Sequence, residues 1–385
     1  MTTTPTNQNA SSQPGYPWAE HLIWMEGGEP VEAKPKESVW PGLCLVVALA
    51  ALAFGTGYAV RESGSTFAKL FDPVLLSMLL GLLVGNLSGR SLFLPGVSMA
   101  VRKLLPFGII LLGARMDFLE AMRIGLPGLA MSLGVVGLAM ISLYGLGRLL
   151  GLERDLACLL GVGTGICGGT AIVAIAPILR AKERDILVGV GLVTLVGLAA
   201  MILLPPVADW FGFTQTQFGL LAGLTIHQTP QVIAAGFAYG EEAGQVATVA
   251  KLARVCLLAP VAVGLGWWMK RRSGTGGISW KWYSLLPGFA VGFLLFAAVR
   301  TLGLLPNVEM AWEAKGVFGG QMVAFDTTSL LKASSSFFLA AGMVGVGFQT
   351  RFSQAREIGW RPVAAAVVGS LIVALFVLPL VRALF

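Results

Sequence analysis

The sequence predicts an all-α integral membrane protein, and three observations carry the prediction: a shortage of charge, apolar runs of membrane-crossing length, and abundant glycine without strand-like alternation. The chain has 385 residues, 56% of them hydrophobic and 12% charged, whereas an ordinary soluble domain carries about 25% charged residues. So few charges cannot cover a water-facing surface. Runs such as Leu43 to Val60, Leu126 to Leu146 and Val363 to Val381 approach the length needed to cross about 30 Å of hydrocarbon. Barrel strands would alternate apolar and polar residues, but these runs are apolar on every side, so helices must satisfy the backbone. The 50 glycines fit that reading, because small residues let membrane helices approach closely, as in Gly81-Leu82-Leu83-Val84-Gly85.

Taken in order, residues 1–38 are rich in Thr, Ser, Asn, Gln, Pro and Gly, lack the apolar core of a signal peptide and read as a mostly disordered polar tail. Within it Tyr16 to Met25 is locally amphipathic, which suits either a surface helix or an incidental aromatic cluster. Residues 39–385 form the transmembrane domain, with ten or eleven helical segments expected near 40–60, 72–88, 97–114, 125–147, 156–180, 186–207, 217–238, 245–269, 283–303, 331–349 and 362–383. The lipid bilayer is thus the first partner the sequence implies.

Loop charges set the topology, since cytoplasmic loops hold the excess of Lys and Arg. Arg180, Lys182 and Arg184 read as cytoplasmic, the uncharged-by-base loop 208–216 as external, and Lys270, Arg271, Arg272 and Lys281 as cytoplasmic again. Two segments lie between the last two loops, yet an odd number must cross. One of them, 217–238 in the first instance, is therefore expected to be broken or re-entrant. The net charge of +7 is scattered through such loops, so no nucleic-acid surface is indicated. Cys44, Cys158, Cys167 and Cys256 lie in apolar segments without metal-ligand spacing, and neither a disulfide framework, a metal site nor a cofactor is expected.

An internal repeat is visible on shifting the chain so that Gly108 to Gly125 falls on Gly342 to Gly359. Identities occur at Gly108/Gly342, Gly113/Gly347, Phe118/Phe352, Ala121/Ala355, Ile124/Ile358 and Gly125/Gly359. Repeats of this kind are common in secondary transporters, whose substrate sites lie between the two copies. The charges that follow the copies (Arg115 and Arg123; Arg351, Arg356 and Arg361) would put both ends on one side, which conflicts with an inverted repeat.

Two segments break the apolar pattern. One runs from Gly161 to Thr170 and contains Thr164, Cys167, Gly168, Gly169 and Thr170; the other contains Thr225, His227, Gln228, Thr229 and Gln231 around Pro230. Backbone groups exposed at such breaks cost several kcal/mol in lipid unless they line a cavity or bind something. Broken helices satisfy that need, and the N–H groups that open each second half-helix suit an anion. A glycine packing surface is the plainer reading of the first segment. His227 is a candidate for coupled proton transfer or a satisfied structural histidine. Lys251 and Arg254, spaced i, i+3, share a helix face and either offer charge to an anion or snorkel to an interface. Arg115, Asp117 and Asp326 read as loop or helix-end charges, and Pro177, Pro205 and Pro260 as helix ends or kinks.

At these motifs the chain resembles the YeiH-type sulfate exporter family of bacterial membrane proteins. The resemblance rests on Phe107 to Arg115, Gly163 to Ala171, Thr225 to His227 with Gln231 to Gly236, Lys251 to Val255 with Leu258 to Pro260, and Gly345 to Phe348, in the family's order. It implies a secondary carrier of about ten helices, related to sodium/proton antiporters and bile-acid symporters with crossing broken helices, in a bacterial inner membrane. The family usually has an acidic residue after the histidine, where this chain has Gln228, so coupling here would differ or rest on His227.

The leading expectation is alternating-access transport of a small anion, with sulfate or a related sulfur oxyanion put forward by the resemblance and a proton or sodium ion as the coupled partner. A homodimer stays among the candidate assemblies. A passive anion channel is the alternative, and a membrane-embedded enzyme using Cys167 and His227 as nucleophile and base is a more distant one. No Gly-Lys-Ser/Thr phosphate loop is present, so a direct ATP-driven mechanism is not expected.

Overall fold

The computed structural model describes residues 38–62, 72–87, 91–116, 118–273, 288–305, 310–314, 321–325, 327–350, 352 and 358–385. The polar tail up to residue 37, with Tyr16 to Met25, and also Asp117, Lys281, Asp326, Arg351 and Arg356, lie outside the described residues.

The chain is a multi-pass α-helical membrane protein. Its helices are α1 (Trp40–Glu62), α2 (Pro73–Leu87), α3 (Leu94–Gly113, with a π-helical turn at Ala100–Leu104), α4 (Phe118–Leu149), α5 (Arg154–Gly165), α6 (Gly169–Leu179) and α7 (Glu183–Trp210). They continue with α8 (Gln215–Thr225), α9 (Thr229–Tyr239), α10 (Glu241–Val255), α11 (Leu258–Ser273), α12 (Gly288–Thr301), α13 (Thr327–Gln349) and α14 (Trp360–Leu384). The one β element among the described residues is an antiparallel hairpin, β1 (Met310–Ala314) with β2 (Gln321–Phe325), inserted between α12 and α13. Among the described residues seven spans are long and apolar enough to cross a membrane, α10 and α11 together making one of them, and α2 and α12 are shorter apolar helices.

The two polar breaks fall where the sequence places them, but each turns its segment back on itself. Glu153, just before α5, accepts a 2.7 Å hydrogen bond from Lys182, just after α6, so both ends of the first segment lie together. The second segment closes in the same way. Tyr239 at the end of α9 donates to the carbonyl of Phe213 ahead of α8 at 2.5 Å, and its ring stacks on Phe218 with centroids 4.1 Å apart. The side chain of Gln215 accepts from the N–H groups of Glu242 and Ala243. Thus 217–238 is re-entrant, and so is 156–180. The resemblance implied helices that cross at their breaks; here the halves return instead.

The bases of the two hairpins lie at opposite ends of α7, whose 28 residues extend about 42 Å at 1.5 Å per residue. They therefore enter from opposite faces, and their tips meet: a Cβ built on Gly168 would lie 2.7 Å from Gln228 Cγ. The following helix packs against both arms of each hairpin. Gly189 on α7 faces Ile172 and Leu159, while Gly219, Gly223 and Gly236 admit Val246, Ala250 and Ala247 of α10 at distances that a side chain would forbid.

The internal repeat is inverted. Gly108 packs on Leu339 and Gly342 on Leu105, two contacts related by the same shift that superimposes the sequences. Ser335 donates to Gly108 O at 3.0 Å and Gln349 to Ser98 Oγ at 3.3 Å, so α3 and α13 run antiparallel. Of the two charges after the first copy, Arg123 is exposed on α4, but Arg115 is no topology marker. It is buried, its ordinary value pulled down to about 10 by that burial, and it pairs with Glu241 at the base of the second hairpin.

Candidate functional site

The tips are built from four helix ends. Helices α5 and α8 arrive with carbonyls that have no partner in their own helix, and α6 and α9 depart with first-turn N–H groups in the same position. Lys251 and Arg254 of α10 meet the carbonyls. Lys251 Nζ donates to Ile166 O and Ile226 O, each at 2.9 Å, and to His227 O at 2.5 Å. Three acceptors use all three protons of an ammonium group. Arg254 donates from Nε to Gly165 O at 2.5 Å, from Nη1 to Leu224 O at 2.6 Å and from Nη2 to Thr164 O. Both side chains are 0% exposed. They do not snorkel; the i, i+3 spacing puts them on one face, from which each clasps both hairpins at the negative ends of two helix dipoles.

The departing ends supply the opposite polarity. Gly168, at φ 77°, turns the chain into α6, and that left-handed conformation together with the close approach of Gln228 leaves no room for a side chain. Gln228, the residue preceding α9, is half-buried and donates to Thr194 Oγ1 on α7 at 2.6 Å. Thr170, also half-buried, donates to Cys167 Sγ at 2.8 Å. Gly169 and Thr170 on one side and Thr229 and Gln231 on the other open the two helices. Thr225 bonds back to Leu221 O at 2.6 Å and so stabilises its own helix end. Thr164 Oγ1 is buried and has no partner among the described residues.

His227 Nε2 lies 2.9 Å from Ser370 Oγ on α14. Sequence reasoning passed over Ser370 and Thr194, each the lone hydroxyl of a long apolar helix, which was the signal available. The Cys167 thiol is engaged by Thr170 and the His227 ring by Ser370, so the structure does not hydrogen-bond the two to each other.

No group of acidic, cysteine or histidine side chains suited to a metal ion occurs among the described residues. Acidic side chains sit at helix ends, as Asp185 does in the first turn of α7 and Glu241 in that of α10. The centre thus holds two buried cations with no carboxylate beside them among the described residues. A cavity of about 420 Å³ lies away from the tips, at the base of the second hairpin, lined by Phe54, Asp72, Phe237, Tyr239, Glu241 and Lys332 among others.

Helices crossing in both directions, an inverted repeat and two opposed re-entrant hairpins define a polytopic membrane protein with a polar, positively charged centre. The chain belongs to the family described as conserved hypothetical protein 698, whose model matches residues 41–366. Similar proteins include a UPF0324 membrane protein of Bordetella bronchiseptica, 34% identical over 84% of this chain and 94% of the relative. UPF0324 membrane protein TauZ of Paracoccus denitrificans is 34% identical over 83% of this chain and 93% of its own length. A UPF0324 membrane protein of Oceanobacillus iheyensis is 32% identical over 80% and 86% respectively.

Proposed function

We propose that the chain is a secondary carrier for a small anion, working by alternating access in a bacterial inner membrane. One observation carries this reading: Lys251 and Arg254 are fully buried at the hairpin tips with no acidic side chain among the described residues to balance them. Carbonyl dipoles satisfy their hydrogen bonds but leave the net charge, and an uncompensated buried charge is costly unless a counter-ion joins it. The first turns of α6 and α9 would hold that anion through backbone N–H groups and the half-buried Thr170 and Gln228. Sulfate or a related sulfur oxyanion is the favoured substrate through the family resemblance, and the cavity at the base of the second hairpin would serve as a vestibule.

The tips touch, which favours a carrier over an open channel. The test is uptake of labelled sulfate, sulfite and sulfonates into liposomes containing the purified protein, with and without preloaded unlabelled anion. Saturable uptake that preloading accelerates supports the carrier. Linear, unaccelerated flux would point to a channel, and absence of flux for every anion would defeat the reading. Gln228→Glu, which sets a carboxylate beside the two cations, should weaken anion uptake.

A further inference from the structure

We propose, resting on the anion reading above, that His227 takes up a proton at Nδ1 whenever an anion occupies the hairpin tips, and that Ser370 keeps Nδ1 open for it. The argument begins with Ser370. Its Oγ lies 2.6 Å from Ala366 O, one turn earlier on α14, and a hydroxyl has one proton to give. With that proton on Ala366 O, Ser370 Oγ can only accept from His227 Nε2, 2.9 Å away. The neutral ring therefore carries its hydrogen on Nε2 and a bare lone pair on Nδ1.

His227 Nδ1 and Gln231 Oε1 are buried and have no partner among the described residues, in side chains 1% and 0% exposed. The orientation of the Gln231 amide is fixed because its Nε2 donates to Thr194 O at 2.9 Å. Both side chains crowd one point on α7: a Cβ built on Gly197 would collide with Gln231 Oε1 and lie 3.3 Å from His227 Cβ. Two buried acceptors thus belong to neighbouring side chains, not hydrogen-bonded to each other and without a donor among the described residues, and each buried orphan is costly. A proton on Nδ1 fills the lone pair left bare and turns that orphan acceptor into a donor.

The charges around the ring link that proton to the anion. Arg254 and Lys251 of α10 are the charged side chains that act on it among the described residues, and Ser370 of α14 is its hydrogen-bond partner. A third positive charge beside two others is opposed by Coulomb repulsion, and an anion at the tips offsets it. Proton and anion then bind together, each tightening the other. On release at the other side the proton leaves Nδ1, the ring returns to its neutral Nε2–H form, and both species have moved in the same direction.

The chain has two histidines, His21 and His227, so a His21→Ala protein carrying ¹⁵N-labelled imidazole reports His227 alone. In lipid nanodiscs without anion, Nε2 should be protonated and Nδ1 bare. Saturating sulfate or sulfite should protonate both nitrogens, take up about one proton per anion from lightly buffered solution, and bind about tenfold more weakly per pH unit above the transition. Ser370→Ala should let the Nδ1–H tautomer appear in anion-free protein, and Ser370→Thr should suppress it again. Binding with Nδ1 still bare, or binding that follows sodium rather than pH, overturns the proton site and leaves the anion reading intact. An Nδ1–H tautomer in the unsubstituted protein overturns the role of Ser370. Failure of every anion to bind defeats both readings together.

Discussion

Replacing Lys251 by Met keeps an unbranched side chain of similar length and removes the ammonium. Three buried carbonyls, Ile166, Ile226 and His227, then lose their donor, at about 1–3 kcal/mol for each left unsatisfied. The loss is partly offset, because the substitution also removes the desolvation penalty of a buried charge, and a net cost of about 3–5 kcal/mol is expected from the three orphaned carbonyls. Cys167 offers a local readout, since it is buried one residue from Ile166. In a background with Cys44, Cys158 and Cys256 changed to Ala, the rate of Cys167 labelling by a small thiol reagent reports opening of the tips. At about 1.4 kcal/mol per factor of ten, Lys251→Met should raise that rate by roughly a hundred- to several-thousand-fold. Thermal unfolding in detergent should move down with it. A Cys167 rate within about threefold of the parent, with unfolding unchanged, would refute the assignment of Lys251 as the clasp.

Gly168→Ala should destabilise the first tip by roughly 1–2 kcal/mol for the left-handed backbone, with a further ~1–3 kcal/mol for crowding Gln228; thermal unfolding checks the sum, and an unchanged melt would contradict the tip geometry. Single cysteines at Lys182 and Thr214 should react with impermeant reagents from opposite sides, whereas a Thr216→Cys, Glu242→Cys pair should cross-link with a short bifunctional reagent. Failure of that cross-link would return 217–238 to a plain span. Lys182 holds the Glu153 carboxyl below its ordinary range by hydrogen bond and charge. A depressed carboxylate stabilises its folded contact above the ordinary value and loses it as pH falls through the lowered one. The base of the first hairpin should therefore loosen only in acid, seen as faster labelling of an Arg180→Cys variant, and Glu153→Gln should abolish that dependence.

Much of this was legible in the sequence. The shortage of charge announced the membrane, and glycine or proline beside Thr, His and Gln located both tips. Loop parity around 208–216 and 270–272 required one re-entrant segment. The same logic was not applied to the first hairpin, where Arg148 and Arg154 before it match Arg180, Lys182 and Arg184 after it. A 25-residue apolar run disguised it as one span. The roles of Lys251 and Arg254 were not legible, since their partners Thr164 to Ile166 lie more than eighty residues away in sequence. The repeat was only partly visible for a related reason. The shift that pairs Gly108 with Gly342 does not pair Gly168 with Gln228, so no single register aligns both the packed helices and the hairpins.

The distribution of polar contacts decides which joint can yield in a transport cycle. Lys251 and Arg254 make six hydrogen bonds from one helix to both hairpins, and hydrogen bonds to charged groups contribute about 1.5–3 kcal/mol each. The seam between the base of the second hairpin and α13 is joined differently. There Glu241 meets the buried Arg115, which also lies over the Phe237 ring, and Lys332 at 3.8 Å, and Glu241 and Lys332 are 44% and 56% exposed. The exposed Lys332–Glu241 pair contributes about 0–1 kcal/mol, and the Arg115–Glu241 pair is a single contact against six at the tips. Parting the tips would therefore cost several times more than parting the seam. Under the proposed function the two hairpins and α10 travel as one unit, and access to the tips changes by movement against α2 and α13 rather than by separation of the hairpins from each other.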